Sequence, residues 1–449
     1  MKICERTVVR IMRRTFSSLW FVSVLVVGAG SARGQDSQTT LRGGFATGAP
    51  TQQSLPGVLV GEGVVLHPSV GLETNYDSNV FYDQSSSEAA PSLRVMPRLE
   101  LGTRVGSDGS GSTGAVSFQA RLGGEYREYL TDVDVVRDQR AFAVDQGVVV
   151  NARLSPSWTF IAYEAFVRSY QNRFTASRGT INRDVLRIGP RLRYAPGGGR
   201  FETQLGYTFG FDLFEAEQFR VGNNVSHNTN LVAQWRWFPK TAIRFEADQS
   251  FIRFKDDIQA ANGVLKNDSN PLRLTLGLVG LITPRLTVDV NAGYGYGFYT
   301  NGPDGSTFLA QVGLGYRMTP TTVLAAGYGH SFIDALVGNY FSVDEARLSL
   351  AQQLLGRAVF NAGFRYRRYS YEGFIAQPGE FIDGDSRVDN RYEAVANLDY
   401  LFTGTLAGGV GYTGDFNRSN YTSGGTIAAA LNSADYSKHI VWARLTASY

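Results

Sequence analysis

Charged residues at every second position are the feature of this 449-residue sequence most able to do chemistry. Arg187, Arg191 and Arg193 share one parity of a short segment. So do Arg121 and Arg127, Arg365 and Arg367, and the trio Arg244, Glu246 and Asp248. A guanidinium stays charged at any physiological pH and presents a planar fork of donors suited to carboxylates and phosphates. Alternate residues of a β-strand point to one face, so each set would project together. Glu125, Glu164 and Glu393 lie in segments of the same kind and are expected to face the same way, offsetting the arginines. Two chemistries fit. A basic strip along a narrow aqueous path selects anions by its field, and cross-strand Arg–carboxylate pairs brace a wall. The sequence leaves both open.

Catalytic groupings are sparse. His330, Ser331 and Asp334 form a local set with a nucleophile, a base and an acid. Adjacent strand residues point to opposite faces, which argues against direct coupling of His330 to Ser331. The four histidines, His67, His227, His330 and His439, are far apart in sequence, and Cys4 is the single cysteine, so no metal-ligand spacing occurs. The glycines are dispersed and form no phosphate-binding loop. Neither an enzyme nor a cofactor is expected.

Elements that could position such charges repeat along the chain. From about residue 62 to 449, segments of ten to fifteen residues alternate apolar and polar, the period of a strand between two environments. The breaks come in two sizes that mostly take turns. Ser155-Pro156-Ser157, Phe238-Pro239-Lys240, Thr283-Pro284-Arg285, Thr319-Pro320-Thr321 and Thr403-Gly404 are tight, whereas 77–90, 131–140, 172–183, 256–270, 372–385 and 417–436 are longer and polar. Tight turns at one rim and long loops at the other belong to a transmembrane up-and-down antiparallel barrel. The segments number eighteen, from 62–76 to 437–449, with sixteen as the alternative. An even count leaves both ends of the mature chain on the tight-turn, periplasmic side. Parity also sorts faces. Val116, Phe118, Leu122 and Tyr126 oppose Arg121 and Arg127, and Leu186, Ile188 and Leu192 oppose Arg187, Arg191 and Arg193. A charge facing lipid at mid-depth costs a few kcal/mol, so the charged parity should face a lumen. Trp158, Phe160, Trp235, Trp237 and Phe238 flank tight turns, where a periplasmic aromatic girdle would lie. The break at 417–436 contains no strong anchor.

The N-terminus carries a targeting signal. Five basic residues up to Arg14 precede the apolar stretch Phe16–Ala29, and Ala32-Arg33-Gly34 offers small residues for cleavage. The expected organisation is a signal peptide over 1–34, a flexible periplasmic lead-in over 35–61 and a barrel over 62–449. The whole chain has 43 basic and 40 acidic residues, and the mature chain would keep 37 and 39, so the basic excess says nothing about nucleic acid and none is expected as a partner. At the C-terminus, Val441, Leu445 and the final Tyr449 share one face, the pattern of a sorting signal read by the barrel-assembly machinery. The expected location is the outer membrane of a Gram-negative bacterium, among lipid and lipopolysaccharide.

The phrase His67-Pro68-Ser69-Val70-Gly71-Leu72-Glu73-Thr74-Asn75-Tyr76-Asp77-Ser78-Asn79-Val80-Phe81 resembles the opening strand of the β-barrel porin 2 family, with Tyr76, Asp77, Asn79, Val80 and Phe81 matching its motif. The resemblance covers roughly residues 62–449. It implies an outer-membrane channel, and because several members accompany exopolysaccharide or capsule systems, it implies a conduit for secreted, anionic polysaccharide working with a periplasmic polysaccharide-export protein. A general or anion-biased diffusion porin and a structural or surface-interaction barrel are the alternatives.

If the arginine strip lies on an anion path, Arg187→Gln, Arg191→Gln and Arg193→Gln together lower the anion preference of the channel in a planar bilayer. Unchanged selectivity would assign these arginines to bracing.

Overall fold

The computed structural model describes residues 57–449 except 61–62, 85–86, 104–114, 174–178, 216, 256–267, 301–303, 335–339, 373–379, 384–385, 425–430 and 434. The proposed signal peptide, its cleavage site and nearly all of the lead-in lie outside the described residues.

Eighteen long strands form the wall. They are Val64–Asp77 (β1), Ala90–Thr103 (β2), Val116–Tyr129 (β3), Ala141–Arg153 (β4), Trp158–Arg173 (β5), Gly179–Tyr194 (β6), Phe201–Phe214 (β7), Asn224–Phe238 (β8), Thr241–Phe254 (β9), Ser269–Thr283 (β10), Leu286–Tyr299 (β11), Gly305–Thr319 (β12), Thr322–Asp334 (β13), Tyr340–Leu354 (β14), Ala358–Glu372 (β15), Arg387–Leu401 (β16), Leu406–Ser419 (β17) and Tyr436–Ser448 (β18). Each pairs antiparallel with its sequence neighbours, and β18 pairs with β1 from Ser69↔Ser448 to Asp77↔Ile440. The ring is closed, and the count is eighteen. A two-residue strand, Val58–Leu59, extends the edge of β1 at the periplasmic end.

Three tight turns share one device. Thr283 Oγ1 accepts from Arg285 N and Leu286 N, Thr403 Oγ1 from Thr405 N and Leu406 N, and Ser155 Oγ from Ser157 N and Trp158 N. A hydroxyl before Pro or Gly thus satisfies the amides that the ladder's end leaves free. The β14–β15 turn instead places Leu355 and Gly356 at φ 52° and 70°. Two consecutive left-handed residues make the turn whose twist matches a two-residue hairpin.

Several strands run further than their apolar pattern. The segment expected at 184–194 begins at Gly179, opposite Arg173 of β5, so the break is shorter than 172–183. The segment expected at 271–282 begins at Ser269. Above the membrane a ladder needs no apolar face, so hydrophobic alternation ends before hydrogen bonding does. The break at 417–436 is also anchored. Tyr421–Gly424 pairs with Glu380–Ile382 and Leu431–Ser433, and Asn420 binds Val388 N, Asp383 O and Ser386 O.

Faces follow the parity rule. Leu72, Leu122, Ile188, Phe245, Phe308, Leu348, Val441 and Leu445 are exposed on the outside, and Glu73, Asp77, Arg94 and Arg391 are buried on the opposite parity. Trp158, Trp235, Trp237 and Phe238 are exposed at the tight-turn rim, and Tyr400 and Phe402 continue that girdle. No helix among the described residues is long and apolar enough to cross a membrane. A closed ring with an apolar outside crosses a bilayer by its strands, since closure leaves no open sheet edge to the hydrocarbon. The chain is an outer-membrane β-barrel with both ends of its wall at the periplasmic rim.

Neighbouring residues of β18 separate the faces. Val441→Arg should cost about 2–4 kcal/mol of stability near mid-depth. Ile440→Arg, on the lumen side, should cost much less when both are compared by urea unfolding in lipid vesicles.

Candidate functional site: the lumen

The outer half of the lumen holds a dense charge lattice. Register places Glu345, Arg367, Arg391 and Asn417 in one row across β14 to β17, and Arg347, Arg365, Glu393, Asp415 and Lys438 in the row beneath it. Like charges beside each other in a row repel, and the shortest contacts run to the other row. Arg391 contacts Asp415 at 2.6 Å and Glu393 at 3.1 Å. Glu393 also takes Arg367, and Arg365 at 3.5 Å, while Glu345 lies 3.7 Å from Arg365. These groups are buried, Glu393 to 1% exposure and Arg391 to 3%. Buried ions are tolerated where opposite charges compensate them in good geometry.

Among the described residues two chain segments turn inward at the outer mouth. The first follows β1. Asp77 Oδ1 accepts from Asn79 N, Asn79 Oδ1 accepts from Asp83 N, and Asn79 Nδ2 donates to Asp83 O and Ser437 O. Val80 and Phe81 then bury against the inward residues Ala90 and Tyr129 and against Val136 of the single helical turn Asp134–Arg137. Lys438 locks this knuckle, bridging Asp77 and Asn79 O at 2.7 Å each. Tyr82, at φ 58°, packs edge-on against Tyr436.

The second is the outer end of β13. Its pairing with β12 stops at Ala310↔His330, and the following residues cross the inner wall. Asp334 accepts from Ser269 Oγ at 2.5 Å and Tyr299 OH at 3.0 Å, and Arg273 binds Phe332 O. Phe332 sits beneath the Arg273 guanidinium and against Gly295, where a Cβ would come within 2.4 Å of the ring. Gly305 makes the same room for Tyr340. Ile333, Phe341 and Val343 form a small apolar cluster beside Tyr369 and Tyr371.

Below these segments lies a cavity of about 1040 Å³, bounded by β1–β5 and β15–β18 and lined by basic and acidic side chains in similar number. Arg98 and Arg121 reach Asp145 at 3.8 and 3.3 Å, yet stay 49% and 55% exposed. Arg94 is different. It is buried between Glu73 at 2.7 Å and Glu125, whose Oε1 also takes Tyr170 OH.

The sequence-derived candidates divide accordingly. Arg187 binds Asp212, which Arg183 also contacts, and Arg193 binds Glu202 through two nitrogens. Arg191 lies over the Tyr163 ring, with no carboxylate within 4 Å among the described residues. Arg127 stacks on Tyr129 and Tyr170. Arg244 contacts Glu246 and Asp289, and Asp248 accepts from Asn228. Glu164 lies elsewhere: it pairs in register with Ile188, on the outward face of Trp158 and Phe160, and accepts from Gln146. Glu73, Asp77, Arg94, Arg391, Asp415 and Lys438 were absent from the sequence-derived set. Each keeps the inward parity of its strand, and parity applied to single charges would have found them.

His330, Ser331 and Asp334 do not assemble. His330 uses Nδ1 on Asp344 and Nε2 on Thr307, while Asp334 bonds Ser269 and Tyr299. Among the described residues no group of three or more His, Cys, Asp or Glu side chains could hold a metal ion.

No family model matches the chain, and no curated protein matches its sequence. Among solved structures, OccAB4 of Acinetobacter baumannii is 11% identical, with 88% of this chain and 100% of that one covered and a TM-score of 0.46. OpdK of Pseudomonas aeruginosa, solved with vanillate, is 12% identical over 86% and 99%, with a TM-score of 0.46. The siderophore receptor PirA of the same organism is 11% identical over 86% and 80%, with a TM-score of 0.42.

Removing the shared carboxylate tests the lattice. Glu393→Gln leaves Arg365, Arg367 and Arg391 under-compensated and should cost about 3–5 kcal/mol, measured by urea unfolding. A change below about 1 kcal/mol, the value of an exposed pair, would mean that the lattice is solvated.

Proposed function

We propose that the protein is a diffusion channel of the outer membrane for small hydrophilic solutes, with a bias toward anions set in the periplasmic half of its lumen. One observation carries the bias. Arg98 and Arg121 project into the cavity, both contact Asp145 with Glu100 opposite Arg121 in register, and remain about half exposed, so a passing anion can reach both. The outer-half arginines are enclosed by carboxylates and add little accessible field. Guanidiniums next to water inside a low-dielectric wall attract anions over several ångströms. Arg191, held flat on Tyr163, adds a third accessible cation.

Support for a polysaccharide conduit comes from the resemblance of residues 67–81 to the β-barrel porin 2 family. The same residues weigh against it here. Asn79, Val80 and Phe81 occupy the inner side of the outer mouth, and the β13 end occupies the wall over β10 and β11. A polymer needs a continuous wide bore, whereas a small solute can pass beside such segments.

The test is the reversal potential under a potassium chloride gradient. Arg98→Gln with Arg121→Gln should shift selectivity from chloride toward potassium while the barrel keeps its heat-modifiable mobility. Equal selectivity in wild type and variant would remove the anion bias. Loss of surface polysaccharide with unchanged solute uptake in a strain lacking the protein would favour the conduit.

A further inference from the structure

The outside of the barrel carries an ordered polar row just above its outer aromatic girdle. Cross-strand register aligns Tyr366, Tyr392 and Phe416 on β15, β16 and β17, and Tyr366 and Tyr392 stack with ring centroids 5.2 Å apart. Two residues nearer the outer rim, the same register aligns Arg368, Asn390 and Arg418. Tyr392 and Tyr400 lie on the same face of β16 and bracket Ala394, Ala396 and Leu398. Eight residues of tilted strand span about 20 Å of membrane normal, close to the apolar band of an outer-membrane barrel. The Arg368–Asn390–Arg418 row therefore stands at the headgroup level of the outer leaflet.

Among the described residues no ion pair closes the cations of this row, although Asp344 acts on Arg368 electrostatically from the neighbouring strand. Two other outward cations at this rim are closed: Arg168 by Glu215 at 2.5 Å and Asp184 at 3.7 Å, and Arg253 by Asp268 at 3.6 Å. Among the described residues neither Arg368 nor Arg418 has a carboxylate within 4 Å. Asp344, the register neighbour of Arg368, is engaged by His330 and Tyr328. Arg418 is steadied by Asn417 O, Tyr436 O and Ser437 Oγ, all uncharged. Between the two, Asn390 accepts from Tyr366 OH, which directs its amide oxygen toward the girdle and leaves its amide N–H groups as donors. Strands two places apart are about 10 Å apart, a gap two arginine side chains can close around one tetrahedral anion.

We infer that Arg368, Asn390 and Arg418 form a binding site for a phosphate of lipopolysaccharide, with the acyl chains of its lipid A against Tyr366, Tyr392 and Phe416. Charge, level and girdle fit a lipid phosphate. A soluble phosphate would use the row alone and gain nothing from the rings. Guanidinium forks match phosphate oxygens in geometry, and anchoring one lipid fixes the rotation and depth of this wall in the leaflet.

The full-length barrel in detergent micelles is titrated with bisphosphorylated lipid A, with the same lipid A after phosphatase treatment, and with inorganic phosphate. Wild type should bind the bisphosphorylated lipid at least tenfold more tightly than the dephosphorylated one, and inorganic phosphate should compete poorly. Arg368→Gln with Arg418→Gln should abolish that tenfold preference, and Arg418→Gln alone should reduce it. A luminal control, Arg98→Gln with Arg121→Gln, removes the same charge and should retain it. Equal binding of the two lipid A forms by wild type, or an equal loss in the luminal control, would overturn the assignment, as would inorganic phosphate competing on equal terms.

Discussion

Everything in this molecule depends on closing the ladder between β18 and β1. Hydrocarbon offers no water to an unpaired amide or carbonyl, so an open edge would leave a row of polar groups that each cost several kcal/mol. Nine register pairs, from Ser69↔Ser448 to Asp77↔Ile440, remove that edge. Closure gives each residue a lipid side or a lumen side, and the two-residue period follows. It also concentrates polar side chains inside a narrow tube, where they must compensate one another or stay wet.

The lumen does both, at different heights. In the outer half, three arginines and two carboxylates on β15–β17 interlock with little exposure, and Lys438 ties this wall to the inward knuckle after β1. Ion pairs withdrawn from water are worth having only when their geometry is good and both partners stay, which favours a fixed outer half. In the periplasmic half, Arg98 and Arg121 both contact Asp145 and remain hydrated. Rigidity is placed where the path is narrowed, and accessible charge where a solute would dwell.

Much of the wall was legible because its physics is local. Alternation of period two located all eighteen strands, and the Thr-Pro and Ser-Pro turns marked the periplasmic rim because a hydroxyl there caps the ladder. Legibility failed where the third dimension intervenes. Nothing in the phrase Tyr76–Phe81 announces that Val80 and Phe81 turn inward, since their partners Tyr129 and Val136 lie about fifty residues away. The inward bend of β13 depends on Gly295, a glycine on another strand that leaves space for the Phe332 ring, and Gly305 does the same for Tyr340 at the start of β14. Glu164 was assigned to the lumen although Trp158 and Phe160 share its parity. Arginine spacing indicated a strip, but whether a guanidinium is free or closed is decided by the neighbouring strand, as Asp212 and Glu202 show.

The central claim is that two inward segments, held by Lys438 and Asp334, narrow the outer mouth of an otherwise wide barrel. Single-channel conductance of a Lys438→Met, Asp334→Ala double variant tests it most directly. The account predicts a conductance above that of wild type as the knuckle and the β13 end leave the lumen, with the barrel still folded by heat-modifiable mobility. A folded double variant whose conductance equals that of wild type would contradict it.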